Sequence, residues 1–291
     1  MRTYDVVVVG GGPAGISAAL LLGRARRRTL VIDAGRPANA VSRGVGGLLG
    51  MENPSPAELR AMGRRQLAAY PAVEVHDGEV VGVEPGFALL LADGRRIGYR
   101  AILLAQGLRY ELPPIPGVEA LWGTSVFHCP FCDGWEFRDQ PLAVYADVRY
   151  AQLLTGWSDD VVLCTDGAAP LVDPRVRVRT EPIRALVGRD GRLERIEFAG
   201  GAAEQRAALF FSPRVGQPDA LARDLGCEID ERGLVVADDE GRTRVPGVYA
   251  AGDAGARARS AAIAVGAGAR VAKAIAVDIL LEHAAPVRLA A

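Results

Sequence analysis

Tyr4-Asp5-Val6-Val7-Val8-Val9-Gly10-Gly11-Gly12-Pro13-Ala14-Gly15 is the stretch from which the fold can be read. Its β-branched run suits a central parallel strand buried on both faces, and the residues from Pro13 to Gly23 follow a helical pattern. Thr29 to Ile32 supplies a second strand and closes a βαβ unit that ends at Asp33. Between the first strand and the helix lies Gly10-x-Gly12-x-x-Gly15. The first glycine makes the turn, the second admits backbone close to a pyrophosphate, and the third lets the helix pack tightly. Pro13 and Ala14 open a helix whose N–H groups and positive dipole end face the phosphates. Asp33, at the end of the next strand, is placed to accept a ribose hydroxyl. In this context the loop predicts dinucleotide binding.

Cys129-Pro130-Phe131-Cys132-Asp133 is the second informative stretch. A C-x-x-C pair can close a disulfide across one turn, and a thiolate from it can attack a substrate disulfide. The competing reading is half of a structural zinc site. Zinc would need a second ligand pair, yet Cys164 and Cys227 are isolated and only His128 is close in sequence. Redox chemistry is therefore expected. Asp133 by itself reads as a turn or helix-capping residue. His128 either tunes a thiol and shuttles a proton or is simply packed.

The 291 residues exceed what one core usually covers, and 49% hydrophobic composition is ample for two domains. With 34 basic and 35 acidic residues the net charge is −1, which gives no global field for nucleic acid or an anionic membrane. Two apolar stretches imitate membrane segments. Val6 to Leu22 is broken by Gly10 to Pro13, and Ala261 to Leu281 carries Arg270 and Lys273. Four cysteines, two of them in the pair, do not form a secreted disulfide framework, so the cytoplasm is expected.

Farther along, Ala101 to Ala105 forms an apolar strand leading into Gln106-Gly107, and Pro246 to Ala251 forms another ending in Gly252-Asp253 before a long apolar helix. With C-P-F-C-D placed mid-chain, this layout resembles the low-molecular-weight thioredoxin reductases of the pyridine nucleotide-disulfide oxidoreductase superfamily. The resemblance implies FAD as cofactor, held by Gly10, Gly12, Pro13, Ala14, Gly15, Asp33, Gln106, Gly107, Gly252, Asp253 and Ala261. Gln106 stands where the family usually has threonine. The implied fold is α/β, with two Rossmann-like, three-layer ββα domains. An FAD domain at 1–115 plus 245–291 is interrupted by an inserted domain at 118–242 that carries the redox pair. In the family the later cysteine, here Cys132, lies against the flavin, Cys129 exchanges with substrate, and the neighbouring acid, here Asp133, protonates the leaving thiolate, a role compatible with capping the turn. Homodimers are also implied.

The inserted domain departs from these reductases, which bind NADPH there through a second glycine loop. Leu142 to Thr155 contains no glycine, and Tyr145, Asp147 and Tyr150 would block a pyrophosphate. After the next strand, Val161 to Leu163, comes Cys164-Thr165-Asp166 in place of the basic residues that take a 2′-phosphate. The nucleotide loop is thus degenerate. The chain looks closest to thioredoxin reductase-like flavoproteins without an NADPH site. These include dithiol oxidases of the gliotoxin and holomycin type, which pass electrons to oxygen, and ferredoxin-dependent flavin thioredoxin reductases. Phe131 and Trp135 could line an apolar substrate pocket, and Arg24, Arg26, Arg27 and Arg28 could dock an acidic ferredoxin or simply be solvated. The expected activity is FAD-dependent thiol-disulfide exchange with a small dithiol or a thioredoxin-like protein. The alternatives are an NADPH-dependent reductase with a nonstandard nucleotide site and a flavin-containing redox sensor.

Overall fold

The computed structural model describes residues 2–84, 88–168 and 170–283, so the expected FAD-domain residues 284–291 lie outside the described residues. The chain folds into two compact units, one from residues 1–40, 47–109 and 215–291 and the other from 41–46 and 110–214.

In the first unit, strand Arg2–Val9 lies between parallel strands Thr29–Asp33 and Arg96–Leu104, and Val73–Asp77 extends the sheet beyond Thr29–Asp33. Val6, Val7 and Val8 are all fully buried, and each fully buried valine contributes about 1.5–3 kcal/mol. Val6 and Val8 face helices Pro13–Arg24 and Ala261–His283, together with Ala18, Leu22 and Ile275. Val7 faces the opposite layer, with Ile32, Ile102, Leu221 and Val235. Strand Arg96–Leu104 runs five residues ahead of the apolar stretch that marked it in the sequence. Its first residues pair antiparallel with Ala88–Leu91 and its last with Val248–Ala250, in parallel. Arg96 interrupts the apolar pattern where the pairing is antiparallel.

The second unit has a parallel sheet in the order Val176–Arg179, Val161–Cys164, Leu142–Tyr145, Ala208–Phe211, Val126–Phe127. One face packs on the hairpin Ile183–Arg189/Arg192–Phe198 through Leu186, Leu193 and Ile196. The hairpin turns at Asp190-Gly191, both with positive φ (53° and 70°), as a two-residue loop with the strands' own twist requires. The other face packs on helix Val148–Leu154 through Ala151 and Leu154. Each unit is thus an α/β layered fold of the expected kind.

The boundaries differ from those expected. The chain rejoins the first unit at Val215, ahead of 245, because Leu221, Ala222, Cys227 and Val235 are needed to cover its sheet. Val41–Gly46 belongs to the second unit. That unit also holds a charge network at Arg206, whose side chain is buried and donates to Asp160 at 2.9 Å and to Glu204. Burial works to raise the Glu204 carboxyl, but hydrogen bonds from Arg206, Arg179 and Arg177 overcome it and hold the group at about 2. Among the described residues, no helix is long and apolar enough to cross a membrane.

Candidate active site

The redox turn sits in the second unit. Cys129 is extended, Pro130 supplies the first residue of the single helical turn Pro130–Asp133, and the Cys129 carbonyl accepts from the Cys132 and Asp133 amides, both at 3.1 Å. Proline is well suited to that first position, where its missing N–H would have no partner. The turn brings the two Cα atoms to 5.3 Å, and the sulfurs are joined as a disulfide. Asp133 follows on the same turn. Burial, reinforced by the Glu136 charge, pushes its carboxyl from 3.8 up to about 7. It can therefore hold or release a proton near neutrality, as a partner of a thiol must.

His128 precedes the pair, with its ring packed among aromatic neighbours, 4.6 Å from Tyr110 and 5.7 Å from Trp122 between centroids. Its carbonyl accepts the Tyr150 hydroxyl. Phe131, between the cysteines, is 75% exposed and meets Trp157 edge-on at 5.3 Å. Trp135 is 65% exposed, with the Arg138 guanidinium 4.0 Å above its ring. The segment Val41–Gly46 also reaches this turn. A Cβ on Gly46 would stand 3.3 Å from the Cys132 carbonyl, a proximity that no local motif announces.

In the same unit, strand Leu142–Tyr145 feeds helix Val148–Leu154 through only Ala146 and Asp147. Ala146 adopts φ +64°, a left-handed conformation that favours glycine. Asp147 caps the helix, its carboxylate accepting the Tyr150 amide at 3.1 Å. Asp166 follows strand Val161–Cys164 and, after burial, is the largest influence raising the Tyr145 hydroxyl. Arg177 and Arg179 are engaged by carboxylates: Arg177 by Asp160 and Glu204, Arg179 by Glu181 and Glu204.

The loop of the first unit is built in the opposite way. Gly10 has φ +113°, and a Cβ on it would lie 2.3 Å from the Ala105 carbonyl oxygen. A Cβ on Gly15 would lie 1.9 Å from the Gly10 oxygen, so helix and loop touch through backbone alone. Gly12 differs: a Cβ there would meet nothing within 4 Å. No packing demands a glycine at that position, but an incoming pyrophosphate would. The helix begins at Pro13 with Gly12 as a cap that lacks a side-chain bond. Ala14 packs tightly, since a Cβ on Gly252 would approach its own Cβ to 2.7 Å. Gly107, φ +73°, also opens on free space. Gly252 and Asp253 form the turn after strand Val248–Ala250, and Ala261 starts the last helix.

Asp33 is more occupied than the sequence implied. Arg60 and Arg64 donate to its Oδ2 at 2.6 and 2.8 Å, and the Gly35 amide to its Oδ1 at 2.9 Å. Burial disfavours its charge, but these bonds prevail and hold the carboxyl below the usual range. The two arginines come from helix Pro56–Leu67, begun by a Ser55/Glu58 capping box. Only their spacing of four could have marked them as one helical face.

The first unit thus carries an open glycine loop, and the second a cysteine turn closed as a disulfide. The family model for pyridine nucleotide-disulphide oxidoreductases matches residues 4–153 and 184–268. The chain belongs to this family. Thioredoxin reductase tcpT of Claviceps purpurea is 31% identical over 91% of this chain and 90% of its own. The solved oxidoreductase of Agrobacterium tumefaciens superposes with a TM-score of 0.89 at 33% identity, covering 97% of this chain and 99% of its own. The solved structure of HlmI gives 0.87 at 39% identity, covering 96% and 94%. The pyridine nucleotide-disulphide oxidoreductase described here is therefore a thioredoxin reductase-like flavoprotein enzyme with FAD as its cofactor. The open Gly12 and Gly107 fit that group.

Proposed function

We propose that the enzyme exchanges electrons between FAD, the Cys129/Cys132 pair and an external dithiol or disulfide without using NADPH. The start of helix Val148–Leu154 carries this reading. The amide that a nucleotide phosphate would need there is taken by Asp147, whose charge would also repel phosphate. The position for a 2′-phosphate bears Asp166, and Arg177 and Arg179 are neutralised by carboxylates.

FAD, when bound, takes up or supplies the electron pair. The chain's own residues manage the sulfur and the proton. A substrate thiolate attacks Cys129, the Cys129–Cys132 bond breaks, and the second substrate thiol displaces Cys129. The substrate leaves as its disulfide and the pair is left as two thiols; in the reverse direction Cys129 attacks a substrate disulfide. Asp133, close to half protonated at neutrality, gives a proton to the departing Cys132 thiolate and recovers it when the pair is reoxidised. The exposed Phe131 and Trp135 favour a small apolar dithiol as substrate, with a thioredoxin-like protein as the alternative. Oxygen or ferredoxin then serves as the distal electron partner, and the enzyme works as a cytoplasmic homodimer.

The test is an anaerobic stopped-flow titration with NADPH, reduced ferredoxin and model dithiols, read at the flavin absorbance. A dithiol should bleach the flavin, and NADPH should do so slowly or not at all. Rapid, saturable bleaching by NADPH would return the protein to the nicotinamide-dependent reductases. A redox sensor would complete one cycle with no steady turnover.

A further inference from the structure

Among the described residues of the first unit, Gln106 and Gln217 each bury a side-chain oxygen, Oε1, that has no hydrogen-bond partner. In both, the partners of the amide nitrogen fix which end is left over. Gln106 Nε2 donates to Asp219 Oδ1 at 3.0 Å, an atom that also accepts the Leu221 amide at 2.9 Å. Gln217 Nε2 donates to the carbonyls of Gly233 and Ala254, at 2.8 and 3.1 Å. Carboxylate and carbonyl oxygens only accept, so turning either amide over would set oxygen against oxygen. Each oxygen is thus held in place, buried and waiting for a donor. Such atoms are rare in folded proteins because nothing repays their desolvation.

Their placement points to the donor. Gln106 lies two residues beyond strand Arg96–Leu104, and Ala254 ends the turn after Val248–Ala250. These strands are neighbours, Leu104 pairing with Ala250. Both oxygens therefore belong to the carboxyl edge of adjacent parallel strands, where open α/β sheets bind their ligands. Across that edge the order runs from the strand ending at Asp33, through the strand of the Gly10–Gly15 loop, to Arg96–Leu104 and then Val248–Ala250. With the adenosine end at Asp33 and the pyrophosphate at Gly12, the riboflavin half extends over the last two strands.

We infer that Gln106 and Gln217 present their Oε1 atoms to hydroxyl or N–H donors on the riboflavin half of FAD. Asp219 and the Gly233 and Ala254 carbonyls hold the two amides ready, so little side-chain freedom is lost on binding. The inference rests on FAD occupying the Gly10–Gly15 loop and is independent of which external thiol the enzyme serves.

The experiment strips the flavin and titrates the apoprotein calorimetrically with FAD and with ADP, which carries the adenosine and pyrophosphate but no riboflavin. Wild type should bind FAD more tightly than ADP. Gln106→Leu and Gln217→Met should each weaken FAD about tenfold, the worth of one well-placed hydrogen bond, and leave ADP binding unchanged. The melting temperature of the holoprotein should fall more than that of the apoprotein. If one variant fails to fold, the other carries the test. FAD affinity within about twofold of wild type, or equal losses for FAD and ADP, would overturn the assignment. A wild-type chain that binds neither ligand would instead sink the cofactor site on which the inference stands.

Discussion

Replacing Asp133 by asparagine removes one ionisation and leaves the size of the side chain unchanged. In the oxidised protein the carboxyl has moved from 3.8 to about 7, so the folded chain keeps a proton across that window which the unfolded chain releases. Stability from this group is full below pH 4, declines as pH rises through the window, and is gone above pH 7. A displacement of about three pH units, at about 1.4 kcal/mol each, sets a ceiling of roughly 4 kcal/mol. Solvent at the partly exposed turn lowers the expected figure to about 2–3 kcal/mol. Urea unfolding of oxidised wild type and Asp133→Asn at pH 4 and pH 8 measures it. The variant should gain that much on wild type between the two values. In rapid-mixing experiments the thiol-exchange step should slow by about 10²-fold and lose its pH dependence near neutrality. Parallel stability profiles for the two proteins would refute the placement of a neutral carboxyl beside the disulfide, and normal exchange kinetics would refute its role as proton donor.

Gly12→Val should give a folded but colourless protein, checked by circular dichroism and flavin absorbance, because its side chain would fill the open space kept beside the loop. Given a substrate disulfide, Cys132→Ser should attack it through Cys129, release one substrate thiol and accumulate the mixed disulfide that mass spectrometry detects, whereas Cys129→Ser should not. Arg206→Leu removes one of the three arginine partners of Glu204 and one of the partners of Asp160, and should cost about 1.5–3 kcal/mol at neutral pH by chemical unfolding. Because the Glu204 carboxyl is held at about 2, wild type should keep this contribution above pH 4.5 and lose it as pH falls toward 2, while the variant shows a shallower acid dependence.

Strands and motifs carried by local pattern were legible in the sequence: Val6 to Val9, the glycine loop, the cysteine turn, and the missing glycines after Leu142. What escaped depends on residues distant along the chain. Asp33 reads as a free acid at a strand end, and only folding brings Arg60 and Arg64 against it. Asp147 reads as a repulsive charge, and its bond to the Tyr150 amide also makes it a helix cap. The domain boundary was misplaced because residues after Arg214 carry weak periodicity and are fixed by the sheet they cover. Gln106 was visible as an oddity, but its meaning required Asp219, more than a hundred positions away.

Tyr150 occupies two places at once. Its amide is tied to Asp147 where a nucleotide would dock, and its hydroxyl is tied to the residue preceding Cys129. A mutation that cleared the loop by removing this side chain would therefore also release the backbone leading into the disulfide. Placing glycines at Ala146 and Asp147 alone would leave the Tyr150 side chain in place, and replacing the tyrosine alone would leave the His128 carbonyl without this donor. Any redesign of this loop therefore has to give the His128 carbonyl a new donor, because one residue serves both the helix start and the backbone before the disulfide.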